Sequence, residues 1–145
     1  MSDASFLFPD YGCRLRAGSK GKEIWDDFRK KWVVCTPEEW VRQHFLHYLV
    51  QSAGYPATRI AVERKLQTGA WTGRFDAVIF DPNGHPFMLI ECKAPEVAID
   101  PNTFFQSTRY SQTLQVPYVA LTNGRGLWVL ELKSGTFLQN WPSWA

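Results

Sequence analysis

The stretch RFDAVIFDPNGHPFMLIECKAP, residues 74–95, decides how the chain folds. Two apolar runs flank Asn83-Gly84, a pair that suits the positive-φ positions of a tight hairpin turn. They are read as antiparallel strands over residues 73–80 and 86–94. The second run, Phe87 to Ile90, is continuously apolar, the pattern of a strand covered on both faces. It ends in Glu91 and Lys93, which period-2 geometry puts on one face. Asp76 interrupts the first run between Phe75 and Ala77. The hairpin thus brings two acids and one ammonium group to neighbouring strands. Burying such groups costs on the order of several kcal/mol each unless they are paired or metal-bound.

Working outward, TPEEWVRQHFLHYLVQSAGYP precedes the hairpin. Thr36 is a good N-cap, Pro37 fits the first helical position and Glu39 the third. Trp40, Val41, Phe45, Tyr48 and Leu49 recur at helical spacing, and Gly54 marks the stop. RIAVERKL reads as a strand. DPNTFFQSTRYSQTLQ opens on Asp100-Pro101 and reads as a second helix over residues 100–115. YVALTNG and GLWVLELKSGTFL read as two strands around an Asn-Gly turn. Residues 5–35 read as an N-terminal hairpin or irregular cap around AGSKGK. The order is helix, three strands, helix, two strands. That predicts an α/β (α+β) fold built on a mixed sheet, with an αβββαβ core. At 145 residues the chain is read as a single domain over 1–145, with the cap at 1–35 and the core at 36–145.

Composition is globular, with 7 Trp and 10 Phe. A net charge of +2 neither names a polyanionic partner nor excludes one. Cys13, Cys35 and Cys92 show no CxxC and no paired Cys/His spacing. They are read as reduced thiols in a cytoplasmic protein, and a zinc site is not expected. No run is long enough to span a membrane, and the N-terminus lacks the pattern of a signal peptide.

The motif Glu-x-Lys occurs three times, as Glu63-Arg64-Lys65, Glu91-Cys92-Lys93 and Glu131-Leu132-Lys133. The outer copies stand in polar surroundings and are read as surface charge. The middle copy alone follows a buried run and faces a second acid. Lys93 balances one carboxylate, which leaves one negative charge in excess, and close carboxylates push one another's pKa upward. A hard divalent cation, Mg²⁺ or Mn²⁺, resolves this with oxygen ligands from Asp76, Glu91 and the carbonyl of Cys92. Such an ion activates water and offsets charge on a phosphodiester. Lys93 then positions the water or stabilises the transition state. A structural ion pair among Asp76, Glu91 and Lys93 is the competing reading.

These residues resemble the PD-(D/E)xK nuclease superfamily. From about Trp25 to Phe137 the chain looks like the N-terminal nuclease domain of type I restriction endonuclease R subunits, in a small stand-alone form. The resemblance rests on TPEEWVRQHF, on Asp76 with Glu91-x-Lys93, and on Gln106-x-x-x-Tyr110, which matches a motif on the helix after the Glu-x-Lys strand. Phe75 stands where the name-giving proline would be. The resemblance implies a divalent metal, DNA cleavage and a restriction role. It also implies a helicase or translocase, or a modification subunit, acting in trans. A catalytically inactive DNA- or protein-binding module with the same fold is the alternative. Monomer and homodimer are both left open.

Other candidates follow from position. Gln106 and Tyr110, at i and i+4, share a helix face. The resemblance puts Gln106 at the catalytic cluster and Tyr110 on DNA. It also aims an acid of the first helix, Glu38 or Glu39, at the metal, although both suit the helix dipole and Glu39 suits a capping box. Arg42 is read either as a phosphate contact or as the partner of Glu38. Arg29, Lys30, Lys31 and Arg74 are read as a phosphate-tracking surface, with a solvated face as the rival account. His44 and His47 lie beside the apolar stripe and are read as packed or surface histidines; His85, next to the turn, is read as exposed. GSKGKE is not a P-loop.

Overall fold

The structure is a computed structural model that describes residues 5–68, 71–106 and 115–144. The element order begins with three short strands, β1 (Leu15–Gly18), β2 (Gly21–Asp26) and β3 (Lys31–Val34). The helix α1 (Pro37–Gln51) follows, then β4 (Ile60–Thr68), β5 (Trp71–Phe80) and β6 (Pro86–Cys92). A short helix α2 (Pro101–Phe105) leads to β7 (Tyr118–Thr122), β8 (Leu127–Glu131) and β9 (Thr136–Phe137).

The α+β reading of the sequence holds. A six-stranded mixed sheet has the order β4-β5-β6-β7-β8-β9, and β1-β2-β3 form a separate antiparallel sheet. Within the large sheet β6 and β7 are parallel and every other pair is antiparallel. The Asn83-Gly84 hairpin closes as expected: Gly84 has φ +83°, and the Asp81 carboxylate accepts from the backbone of Asn83 and His85. Two expectations are corrected. The segment read as a cap or hairpin is a three-stranded sheet. The segment read as one strand over residues 126–138 is two, β8 and β9, because Gly135 at φ +69° turns the chain back. The second helix is described over Pro101–Phe105 with Gln106 as its C-cap, and residues 107–114 of the expected segment, Tyr110 included, lie outside the described residues.

α1 starts where Thr36 accepts from the Glu39 amide at 3.0 Å with Pro37 in the first turn. It packs Val41, Phe45, Leu46 and Leu49 on one face of the large sheet, against Ala77, Ile79, Met88, Ile90 and Cys92. α2 covers the opposite face, where Phe104 and Phe105 meet Phe75, Val78, Leu89, Val116 and Val119. The polar side of α1 is also covered. Arg42, Gln43 and His44 are buried, because residues 6–13 and the β2–β3 turn lie over them. The apolar stripe expected on this helix is therefore only half of its buried surface.

Candidate metal and phosphodiester site

The central sheet forks. Antiparallel pairing of β5 with β6 runs through Ala77–Ile90, and the next residues along the two strands are Asp76 and Glu91. Beyond that point β5 stays with β4, while β6 continues along β7 through Glu91–Leu121 and Cys92–Thr122. The residue types that the sequence singled out therefore stand where two neighbouring strands part.

The backbone at the fork is irregular in a way that turns Asp76. Phe75 lies in the cluster under α2 and Ala77 in the cluster under α1. Strict alternation would put both on one face. The switch falls at Asp76, opposite Glu63, which lies between the register pairs Val62–Ala77 and Arg64–Phe75 and adopts φ +53°. A non-glycine residue in that region carries about 1–3 kcal/mol of strain. One Asp76 oxygen, Oδ2, accepts from the Cys92 amide at 2.7 Å, and Oδ1 lies 3.7 Å from Nη1 of Arg42.

Glu91 is buried, Lys93 is half-buried, and the Lys93 amide donates to the Thr122 carbonyl at 2.9 Å. The Cys92 thiol is held well above its ordinary pKa by burial and then by Asp76, against the opposing pull of Arg42, with Glu91 and Glu38 adding to the rise. The carboxyl of Glu38, on the first turn of α1, is raised by partial burial and by Asp76, while Lys93 and Arg42 oppose the rise. Glu38, Asp76 and Lys93 thus share one electrostatic neighbourhood at the N-terminus of α1, and Glu91 is coupled to Cys92 beside it.

Glu39 has a different setting. It is buried, and burial works to raise its pKa, yet Arg42, Gln43 and Arg29 together hold it below the ordinary carboxylate range. Arg29 donates to it at 2.9 Å, Gln43 at 2.9 Å, and Arg42 through Nε at 3.0 Å and through Nη2. Arg29 is tied in turn to Asp26, and both arginines approach Glu63, at 3.3 and 3.5 Å. The pairing of Arg42 with Glu38 expected at i+4 is replaced by pairing with Glu39 at i+3. Arg42 is buried within this set of carboxylates, and their charges raise its pKa further against burial.

The remaining candidates lie farther out on the surface. Arg74 is exposed and 3.3 Å from Glu63. Lys30 and Lys31 are exposed at the β2–β3 turn, with Lys30 at φ +56°. Gln106 caps α2 at its C-terminal end and is exposed. Tyr110 lies outside the described residues. His85 is exposed and His44 buried, as read; all three cysteines are free thiols. Glu63, taken from sequence as plain surface charge, joins the network of Arg29, Arg42 and Arg74. The antiparallel register of β4 with β5 sets it opposite Asp76, between Val62–Ala77 and Arg64–Phe75.

Asp76, Glu91 and Lys93 stand at the split of a mixed sheet, with Glu38 near Asp76 and Lys93 on the first turn of α1. The chain belongs to the family of type I restriction enzyme R protein N termini, whose model matches residues 37–140. That membership associates it with restriction systems and spans every residue of the fork. No curated protein matches the chain. Among the described residues no helix is long and apolar enough to cross a membrane.

Proposed function

We propose that the protein is a metal-dependent DNA endonuclease of PD-(D/E)xK type that hydrolyses phosphodiester bonds within a restriction system. The observation that carries the reading is the fork: Asp76, Glu91 and Lys93 come from the two parting strands, and Glu38 joins them from the helix. The donor set fits a hard divalent cation, Mg²⁺ or Mn²⁺. Its ligands are oxygens, and Lys93 supplies a nearby ammonium group, whereas Arg42 is already bound to Glu39. The carboxyl of Glu38 is raised first by partial burial and then by the charge of Asp76, against Lys93 and Arg42.

Asp76 and Glu91 would hold the ion, with the Cys92 carbonyl between them and Glu38 as the helix acid. Among the described residues the carboxylates of Glu38, Asp76 and Glu91 do not all lie within 4.8 Å of one another. That suits an ion that takes one or two carboxylates directly and the rest through water. A bound ion supplies charge neutralisation at the phosphate and lowers the pKa of water. Lys93 orients the attacking water and offsets charge developing on the phosphate. Arg42 acts as a positioning residue through Asp76 rather than as a phosphate contact, because its guanidinium is buried among acids. Gln106 with Tyr110, and Arg74, Lys30 and Lys31, are proposed to border the DNA. DNA and other restriction subunits are the partners.

A nicking assay on supercoiled DNA with Mg²⁺ and with Mn²⁺ tests the reading. The parent is expected to nick, and Asp76→Ala and Lys93→Ala to lose about 10²-fold or more of that rate. Cleavage that survives in both variants overturns the site assignment. Metal-independent DNA binding with no cleavage by any of the proteins replaces the enzyme with a binding module.

A further inference from the structure

We infer that the chain carries a second metal site, for a borderline-soft cation such as Zn²⁺, made by Asp10, Cys13 and His44 on the far side of α1's buried polar face. Ligand atoms of these three residues lie within 4.8 Å of one another, and among the described residues no other trio of Cys, His, Asp or Glu does so. The sequence gives no hint of it, because two ligands come from the loop before β1 and the third from the second turn of α1.

The donors suit zinc. A carboxylate, a thiolate and a neutral imidazole form a mixed O/S/N set of the kind that binds Zn²⁺ with water in the fourth position. With Asp10 and Cys13 ionised, their two negative charges cancel the ion, which suits a half-buried place. Cys13 gives its thiol proton to solvent on binding.

A second observation concerns His44. Its Nδ1 donates to the Trp40 carbonyl at 2.8 Å, so Nε2 carries the lone pair. A backbone carbonyl on the other ring nitrogen is the usual outer partner of a metal-bound histidine. The ring is buried and fenced by Phe6, Tyr11 and Trp40, with centroids at 5.4, 4.9 and 4.2 Å, so its orientation is fixed before any ion arrives. The loop is shaped as well: Asp10 Oδ1 accepts from the Gly12 amide at 2.9 Å, and Gly12 has φ +77°. An ion there would pin residues 10–13 to the helix that carries Glu38, Glu39 and Arg42.

Titration of the full chain with Co²⁺, followed by displacement with Zn²⁺, is the test. A sulfur-to-cobalt charge-transfer band is expected at one ion per chain. Ions at the oxygen-only fork give no such band, so the outcome is independent of nuclease activity. The band should vanish in Cys13→Ser, persist in Cys35→Ser, and need about tenfold or more Co²⁺ in the exposed-site variant Asp10→Asn. Zn²⁺ should raise the Tm of the parent but not of Cys13→Ser. No band in the parent, an unchanged band in Cys13→Ser, or a band lost only in Cys35→Ser would overturn the site.

Discussion

Replacing Arg42 by methionine keeps much of the buried stem and removes the guanidinium. Glu39 then loses the Nε bond at 3.0 Å and its Nη2 partner, and Glu63 and Asp76 lose a cation at 3.5 and 3.7 Å. Breaking a buried ion pair from one side costs about 3–5 kcal/mol. Glu39 retains Arg29 and Gln43, each at 2.9 Å, so the loss belongs at the lower end, about 3 kcal/mol. Urea unfolding of the parent, Arg42→Met, Glu39→Gln and the double variant measures it. The pair should couple by about 2 kcal/mol, since each single change strands the other residue. The pH dependence adds a second arm. Glu39 is held below its ordinary pKa, so its contribution is present above the unfolded value and is lost as pH falls through the folded one. The deficit of Arg42→Met should therefore shrink in acid. A loss below about 1 kcal/mol at neutral pH, or additive single changes, would refute the network as a buried unit.

Other outcomes follow from the same geometry. Glu38 has a raised carboxyl pKa, so its ionised form works against folding at neutral pH and the penalty is relieved as pH falls through the folded value. Glu38→Gln should raise the Tm of the metal-free protein while slowing nicking, and a lower Tm would contradict this. Asp26 is fully buried, and although burial raises its pKa, the backbone and side chain of Arg29 and the Phe28 amide bring it below the ordinary value. Asp26→Asn should cost about 3 kcal/mol at neutral pH in chemical denaturation and less in acid, where the parent loses that stabilisation too. Gly124 has φ +84°, and a Cβ there would sit 2.3 Å from the ring of Phe6. Gly124→Ala should lower the Tm, and a relieving Phe6→Ala in the same chain should recover part of the loss.

Much of the arrangement can be read from the chain because local signals agree with the global fold. Thr36-Pro37, Asn83-Gly84 and the unbroken run Phe87–Ile90 each have one local solution, and that solution is what forms. Asp76, Glu91 and Lys93 are legible because charges inside greasy strands demand a reason. The harder parts depend on contacts far apart in sequence. Choosing between Glu38 and Glu39 requires knowing that Arg29 reaches across from the small sheet and claims Glu39. The face switch at Asp76 needs the positive φ of Glu63, which no propensity predicts for a glutamate. The three-stranded sheet at the start is obscure because its strands are short, at 4 to 6 residues, and mostly exposed.

The buried polar side of α1 has a practical consequence for anyone dissecting this chain. The family match begins at residue 37, yet Asp26, Arg29 and the aromatic lid Phe6–Phe8–Tyr11 all precede it. A fragment trimmed to the matched boundary would strip Glu39 of one guanidinium and open Gln43 and His44 to water. The family-matched segment is thus not a self-sufficient module: its first helix is upholstered by residues that precede residue 37.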